Sequence, residues 1–313
     1  MVRYILGRLT GLVGVLFAVS LLTFFLMHSI PGGPYDMKAA QMAQMIPQDL
    51  LDKINKLNGL DQPVWKQYLI FLKNALKFDF GYSYISSGRT VVEIFANHWP
   101  YSMQVGGLTF AFAFPIGLGL GILSAMKRDT LVDRAITVLM VIIQALPSFI
   151  FALFLKLIFA VQLGWLPTQG WAGPKTWIMP VLANSLGPIL MLQRYTRGAM
   201  VDVMGSDYVR TARAKGLTEN RVTLVHIFKN ALTPVITIAG PMVSNLITGS
   251  FFVEGIFRIP GLSSYLGGAI GNRDYPMIIS STLFFTAITT VTYLITDLAY
   301  AAIDPRVTYV KAR

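Results

Sequence analysis

The sequence contains no cysteine among its 313 residues. Disulfides, thiolate metal sites and cysteine nucleophiles are therefore excluded. Its three histidines, His28, His98 and His226, stand far apart and form no His-Glu-x-x-His zinc pair. No Gly-Lys dipeptide occurs, so a P-loop of the usual form is absent and the chain does not bind ATP in that way. Charge is scarce as well. Only 13% of residues are charged and the mean hydropathy is +0.58, whereas soluble domains carry roughly 25% charged residues. Most of the chain must face lipid or other apolar helices. The charge that remains is lopsided, with 26 Lys and Arg against 15 Asp and Glu, a net +11. In a soluble protein that excess suggests nucleic acid. Here the habit of membrane proteins to keep Lys and Arg in cytosolic loops accounts for it, and no nucleic-acid partner is expected.

What the sequence does have is long uncharged runs. Residues 9–35 carry no charge and follow Arg3 and Arg8. A signal peptide has a shorter apolar core and a small-residue cleavage site, so this run reads as an uncleaved first transmembrane helix. Further runs at 100–126, 135–155, 176–193, 231–253 and 275–296 meet or approach the ~20 residues that span a bilayer. The third is expected to continue past Lys156 to about residue 162. The fold class is therefore all-α, an integral membrane protein with six transmembrane helices. Lys and Arg cluster before the first run, between the second and third, between the fourth and fifth, and after the sixth. By the positive-inside rule both termini are cytosolic.

Four segments follow. Residues 1–30 are the N-terminal tail and first span, 31–99 a small helical extracytoplasmic cap, 100–302 the core of five spans, and 303–313 a cytosolic tail. In the cap, Pro31-Gly32-Gly33-Pro34 breaks the first helix. Apolar residues at helical spacing predict helices over 49–57 and 64–78, the latter with Trp65, Tyr68, Leu69, Leu72 and Leu76 on one stripe. A short outer helix is expected over 262–270.

The basic island at 207–232 interrupts the apolar chain with Arg210, Arg213, Lys215, Arg221 and Lys229. Asp207 can cap a helix running to Lys215, and Gly216 would stop it, because a left-handed terminal residue is easiest for glycine. Thr218 or Asn220 could start a second helix, with Val222, Val225, Phe228 and Leu232 on one face. Two short helices would make a compact knob, and Ala212 and Ala214 would allow another protein surface to approach closely.

This segment resembles the EAA loop of ABC-importer permeases, the element that docks on the ATPase subunit. Arg210 stands where the general pattern has an acid, and Ala212 and Gly216 match. Asp207-Tyr208-Val209-Arg210-Thr211-Ala212-Arg213-Ala214-Lys215-Gly216-Leu217, with His226 and Asn230-Ala231-Leu232 following, is similar to the oligopeptide/dipeptide/nickel branch. So are Met1-Val2-Arg3-Tyr4-Ile5-Leu6, Gly59-Leu60-Asp61-Gln62-Pro63, Arg194-Tyr195-Thr196-Arg197, Glu254 with Phe257, Arg273-Asp274-Tyr275-Pro276 and Asp304-Pro305-Arg306. The long cap points to its "B"-type permease. Gly32-Gly33-Pro34 and Trp99-Pro100-Tyr101-Ser102 depart from the branch pattern.

The resemblance implies a transmembrane permease subunit of an ATP-driven importer in the plasma (inner) membrane of a prokaryote. It implies a second, paralogous permease, two cytosolic P-loop ATPase subunits that hydrolyse the ATP, and an extracellular binding protein that delivers a peptide-like solute. The chain itself would bind no cofactor and no metal and would not be an enzyme. Asp207, Tyr208, Arg210, Ala212, Arg213, Lys215, Gly216, Leu217 and Asn230 would couple it to the ATPases. Lys156 has two readings. It could line the cargo path and meet a peptide carboxylate or a partner-subunit acid. It could instead reach the outer interface marked by Gly164 and Trp165, the reading we favour. The competing class is a secondary transporter driven by an ion gradient, which calls for carboxylates deep in the spans. None lies deep in the six runs.

Overall fold

The computed structural model describes residues 2–29, 61–86 and 88–303, and these are helical with no strand longer than a single bridge between Tyr82 and Thr90. The expected helix over 49–57, the breaks at Pro31 and Gly33, and the Asp304-Pro305-Arg306 tail lie outside the described residues. Twelve α-helices are used below. They are α1 (Val2–Ser29), α2 (Val64–Ala75), α3 (Val91–Met126), α4 (Leu131–Ala145), α5 (Ser148–Leu155) and α6 (Pro174–Met204). They continue with α7 (Asp207–Ala214), α8 (Glu219–Arg221), α9 (Lys229–Ile247), α10 (Phe251–Ile256), α11 (Leu262–Gly271) and α12 (Tyr275–Ile303). Two π-helical stretches, Lys156–Gln162 and Val222–Phe228, extend α5 and join α8 to α9.

Among the described residues, four helical stretches are long and apolar enough to cross a membrane, and the bent pair α4–α5 makes a fifth if counted as one span. The remaining long helix, α6, has 31 residues, about 46 Å at 1.5 Å per residue. Lys175, Arg194, Arg197 and Asp202 make it the most polar of the long helices. The third expected span is not straight. At Leu146-Pro147 the chain turns by 93°. Proline has no amide hydrogen to continue the helix and clashes with the preceding turn. The second expected span also starts earlier than its uncharged run, because α3 continues unbroken from Val91 through Pro100. The cap boundary at 99 therefore cuts a helix. The outer helix expected over 262–270 is present as α11.

The chain divides into two compact units, residues 1–100 with 261–290, and residues 101–260 with 291–313. In the first, Val91, Ile94 and Phe95 pack with Leu262, Ala269, Met277 and Ile278. Phe24 and Tyr68 join Tyr275 and Ile279 in a second cluster. Asp274, fully buried, stands just before α12. It accepts hydrogen bonds from the Ser83 hydroxyl and from the Tyr84 N–H at 3.1 Å, which pins the 83–86 turn to the helix start. The α2 stripe is only half used. Tyr68 is buried, whereas Trp65, Leu69 and Leu76 are exposed.

In the second unit Val105, Ala152, Leu155, Met179, Ala183, Val253 and Phe257 form the main core. Helices α3 and α6 meet backbone to backbone. A methyl group on Gly117 would lie 2.6 Å from the Leu192 Cβ, and one on Gly121 would lie 2.5 Å from the Thr196 Cβ. Small residues four apart permit this approach, which is a recurrent way for helices to associate where lipid removes the hydrophobic drive.

Candidate functional site

The basic segment 207–232 is a helix packed on the root of a longer one, rather than two short helices. Ser206 occupies the cap position of α7, with Asp207 as its first helical residue, so the expected Asp207 cap is corrected by one residue. The Ser206 hydroxyl donates back to the Val203 carbonyl at 2.7 Å instead of capping α7. Gly216 takes φ +76°, a left-handed conformation that glycine adopts without strain and most other residues do not. Its N–H donates to the Arg213 carbonyl at 2.9 Å, which closes the last turn. Thr218 then occupies the cap position of the next helix, without a side-chain capping bond, and that helix runs through α8 and the π-helical stretch into α9.

The π-helical stretch moves the buried face. A 3.6-residue period would put Val222, Val225, Phe228 and Leu232 on one face, but i→i+5 bonding adds residues to each turn and shifts the phase. The buried residues are Val222, Ile227 and Ala231, with Thr223, and Val225 is 50% exposed. They pack with Val209 and Ala212 of α7 and with Ala125 and Met200. Ala212 therefore faces the chain's own core rather than a partner's surface. Its small side chain lets α7 sit close to Val222 and Ile227. Leu217 is half-buried against the same cluster.

The outward face of α7 carries Asp207, Tyr208, Arg210, Ala214 and, at its end, Lys215, all exposed. Arg210 and Asp207 make a loose pair at 3.4 Å. Arg213 reaches across the glycine turn to Glu219 with two bonds, 3.1 and 2.6 Å. That hydrogen bonding raises the Arg213 pKa above its ordinary value. The pair clasps the turn that Gly216 makes. Asn230 donates to the His226 carbonyl at 2.6 Å and so caps a carbonyl that the π-to-α transition loosens.

Sequence reasoning missed what lies just upstream. Arg197 on α6 makes two parallel bonds to the carboxylate of Asp133 on α4, at 2.8 and 2.7 Å. Asp133 also accepts from the Ser124 hydroxyl of α3 and from the Asp129 N–H. One carboxylate thus ties three helices together ten residues before α7 begins. Beside it Arg194, Tyr195, Asp202 and Pro234 line an open cleft of about 500 Å³. Lys156 is half-buried, and among the described residues it makes no ion pair with a carboxylate. Its Nζ donates to the Ile256 carbonyl at 2.8 Å, the last residue of α10, where the helix dipole favours a cation.

Among the described residues, three carboxylates outside the uncharged runs are buried, namely Asp133, Glu254 and Asp274. Glu254 accepts a 2.7 Å bond from the Ser102 hydroxyl. All three are held by protein donors at helix ends or short helices, not midway along the long apolar helices.

Residues 117–309 match the family described as binding-protein-dependent transport system inner membrane component, and residues 1–106 match its N-terminal membrane component. The chain is 35% identical over 307 residues to the dipeptide transport system permease protein DppB of Bacillus subtilis, covering 98% of both chains. It is 36% identical over 312 residues to the oligopeptide transport system permease protein OppB of Haemophilus influenzae, covering 99% of this chain and 100% of that one. Among solved structures, an inward-facing MetNI methionine ABC transporter chain superposes with a TM-score of 0.57 at 17% identity, covering 68% of this chain and 97% of its own length. At that identity the likeness is one of fold.

Proposed function

Because the chain belongs to the family of binding-protein-dependent transport system inner membrane components, we propose that α7 is the dock through which ATPase subunits drive peptide import. Family membership makes the chain a multi-pass permease subunit of an ABC importer, not an ion-gradient-driven transporter. The finer assembly is our reading. A second, paralogous permease completes the path, two cytosolic P-loop ATPases bind and hydrolyse ATP, and an extracellular binding protein delivers the cargo. The chain supplies path and lever and has no ATPase site of its own. The cargo is a peptide, in keeping with relatives named for dipeptides and oligopeptides. The site is the plasma (inner) membrane of a prokaryote, with both termini cytosolic.

One observation carries this reading. Tyr208, Arg210 and Lys215 are presented outward on a helix whose other face, through Val209 and Ala212, is seated on the root of the long α8–α9 helix. A force on α7 is therefore delivered to two helices at once, to α6 through Gly205 and Ser206 and to α9 through the buried cluster. An ATP-driven switch needs two packings that a partner's contacts favour differently, and an exposed, rigidly seated helix is a suitable handle. Membrane insertion, ATP hydrolysis and peptide uptake measured on Gly216→Val, whose branched side chain cannot hold the left-handed turn without strain, test the proposal. Normal insertion with hydrolysis uncoupled from uptake is expected. Full uptake by that variant would sink the docking assignment.

A further inference from the structure

The segment expected to cap the outer mouth is not built like a cap in water. Helix α2 packs along the C-terminal half of α1. The Tyr68 hydroxyl and the Ser20 hydroxyl share a 2.9 Å hydrogen bond, and the Tyr68 ring sits 5.3 Å from Phe24 and 6.4 Å from Phe17. Gln67 meets His28 at 3.1 Å. The apolar window of α1 is Thr10–Ser29, 20 residues, which at 1.5 Å per residue matches the ~30 Å hydrocarbon core of a bilayer. Ser29 therefore stands at the boundary of the core, and α2 meets the last turns before it through Phe24 and His28.

A helix at that level facing water would hide its apolar side chains. Here Trp65 is 61% exposed, Leu69 53%, and Leu76 and Phe78 79% each. Phe78 holds φ +58°, a strained conformation for a bulky residue. Lys66, Lys73 and Lys77 are exposed on the same segment. Lys66 donates to Gln62 at 2.9 Å, whereas Lys73 and Lys77 have no ion pair among the described residues. Apolar anchors with lysines on one short helix are the signature of a segment lying in the membrane interface.

Beneath that face is a cavity of about 710 Å³, between α1, α2, the start of α3 and α12. Val13, Phe17, Phe71, Phe95 and Phe284 are among its walls, and Ser20 offers the only hydroxyl. Water would find too few partners there, and a peptide would leave its amides unpaired. A hydrocarbon chain leaves nothing unpaired. We propose that α2 and the turn through Phe78 form an interfacial anchor that holds an anionic phospholipid, with an acyl chain in the cavity and the headgroup phosphate on Lys73 and Lys77. The lipid belongs to the leaflet where α1 ends, which is the outer leaflet on the orientation proposed above, and the inference rests on that reading only for the choice of leaflet.

The absence of cysteine makes the test direct. Leu69→Cys, Leu76→Cys and Phe78→Cys are each labelled with a nitroxide in the full chain. The labelled chains are reconstituted in vesicles of phosphatidylcholine with phosphatidylglycerol. Accessibility to molecular oxygen, which concentrates in hydrocarbon, and to a water-soluble nickel chelate is read by electron paramagnetic resonance. Oxygen access with protection from nickel is expected at all three positions. Strong nickel access would overturn the proposal in favour of a cap in water, and protection from both in favour of a covering protein subunit. In parallel, phosphatidylglycerol retained after detergent extraction is weighed by native mass spectrometry. It should fall several-fold in the Lys73→Gln, Lys77→Gln double variant, and equal retention would overturn the headgroup assignment. Reaction of an Asp61→Cys variant with a membrane-impermeant maleimide from outside the cell reports the orientation separately. Its failure would move the lipid to the other leaflet without removing it.

Discussion

Arg197 and Asp133 face each other squarely, with two nitrogens on two oxygens at 2.8 and 2.7 Å. Asp133 is almost fully buried, and the Arg197 side chain keeps 31% exposure. Bidentate guanidinium–carboxylate pairs are among the stronger polar contacts in proteins. This one fastens α4 and α6 to the end of α3 immediately upstream of the proposed dock.

Asp133→Ala should therefore destabilise the folded chain by about 2–3 kcal/mol. A fully buried pair losing one partner costs ~3–5 kcal/mol, and the solvent reaching Arg197 reduces the figure. Arg197→Lys should cost less but remain measurable, since a lysine cannot reproduce the fork. Thermal unfolding in detergent checks both, and equal midpoints for all three chains would contradict the clamp.

The α3–α6 seam makes a second prediction with an internal control. Gly121→Ala puts a methyl group 2.5 Å from the Thr196 Cβ and 2.9 Å from the Gln193 carbonyl oxygen. Backbone cannot yield cheaply there, so a loss of roughly 1–3 kcal/mol is expected. Gly119→Ala meets nothing within 4 Å and should gain up to ~1 kcal/mol from helix propensity. Unfolding midpoints in the order Gly119→Ala, wild type, Gly121→Ala would bear out the seam.

At Gly216 there is free space around the missing side chain, so its constraint is the backbone alone. Gly216→Asn should be tolerated, because asparagine enters the left-handed region readily. Gly216→Val should cost about 1–3 kcal/mol of local strain and lose uptake first. Uptake of a labelled dipeptide, normalised to the amount of folded protein, separates the two. Parallel loss in both variants would point to lost side-chain space instead.

Lys156 holds the end of α10 in this structure through the Ile256 carbonyl. Lys156→Met should lower stability by about 1–2 kcal/mol, the worth of one charge-assisted bond at a helix end. Uptake per folded molecule should remain near wild type. A selective loss of uptake, with the unfolding midpoint unchanged, would restore the residue to the path.

What could be read without coordinates is local. Gly216 and the small, charged and apolar residues around it announce a helix stop, because left-handed backbone is a property of one residue. The outer helix at α11 and the long helices follow from runs and turn residues for the same reason. Where readings slipped, the deciding contact was distant. A 3.6-residue period points Val225 inward, and the π-helical stretch rotates it out. Ala212 is small enough for an outward contact, but Val222 and Ile227 close over it. Pro147 and the Gly117–Gly121 spacing were visible signals for the bend and the seam. Nothing along the chain pairs Asp133 with Arg197, 64 residues away.

The amino-acid sequence by itself determined that the chain is a membrane-embedded helical protein without cysteine chemistry or a P-loop, and that one basic helix–glycine–helix segment interrupts it. Those are matters of composition, run length and single-residue backbone preference, which neighbours in space do not change. The tertiary structure alone decided which face of that segment is free, that Asp133 anchors three helices, and that α2 lies along α1 with its apolar side outward. Each of these depends on which surfaces meet, and burial and pairing are properties of the meeting rather than of either partner.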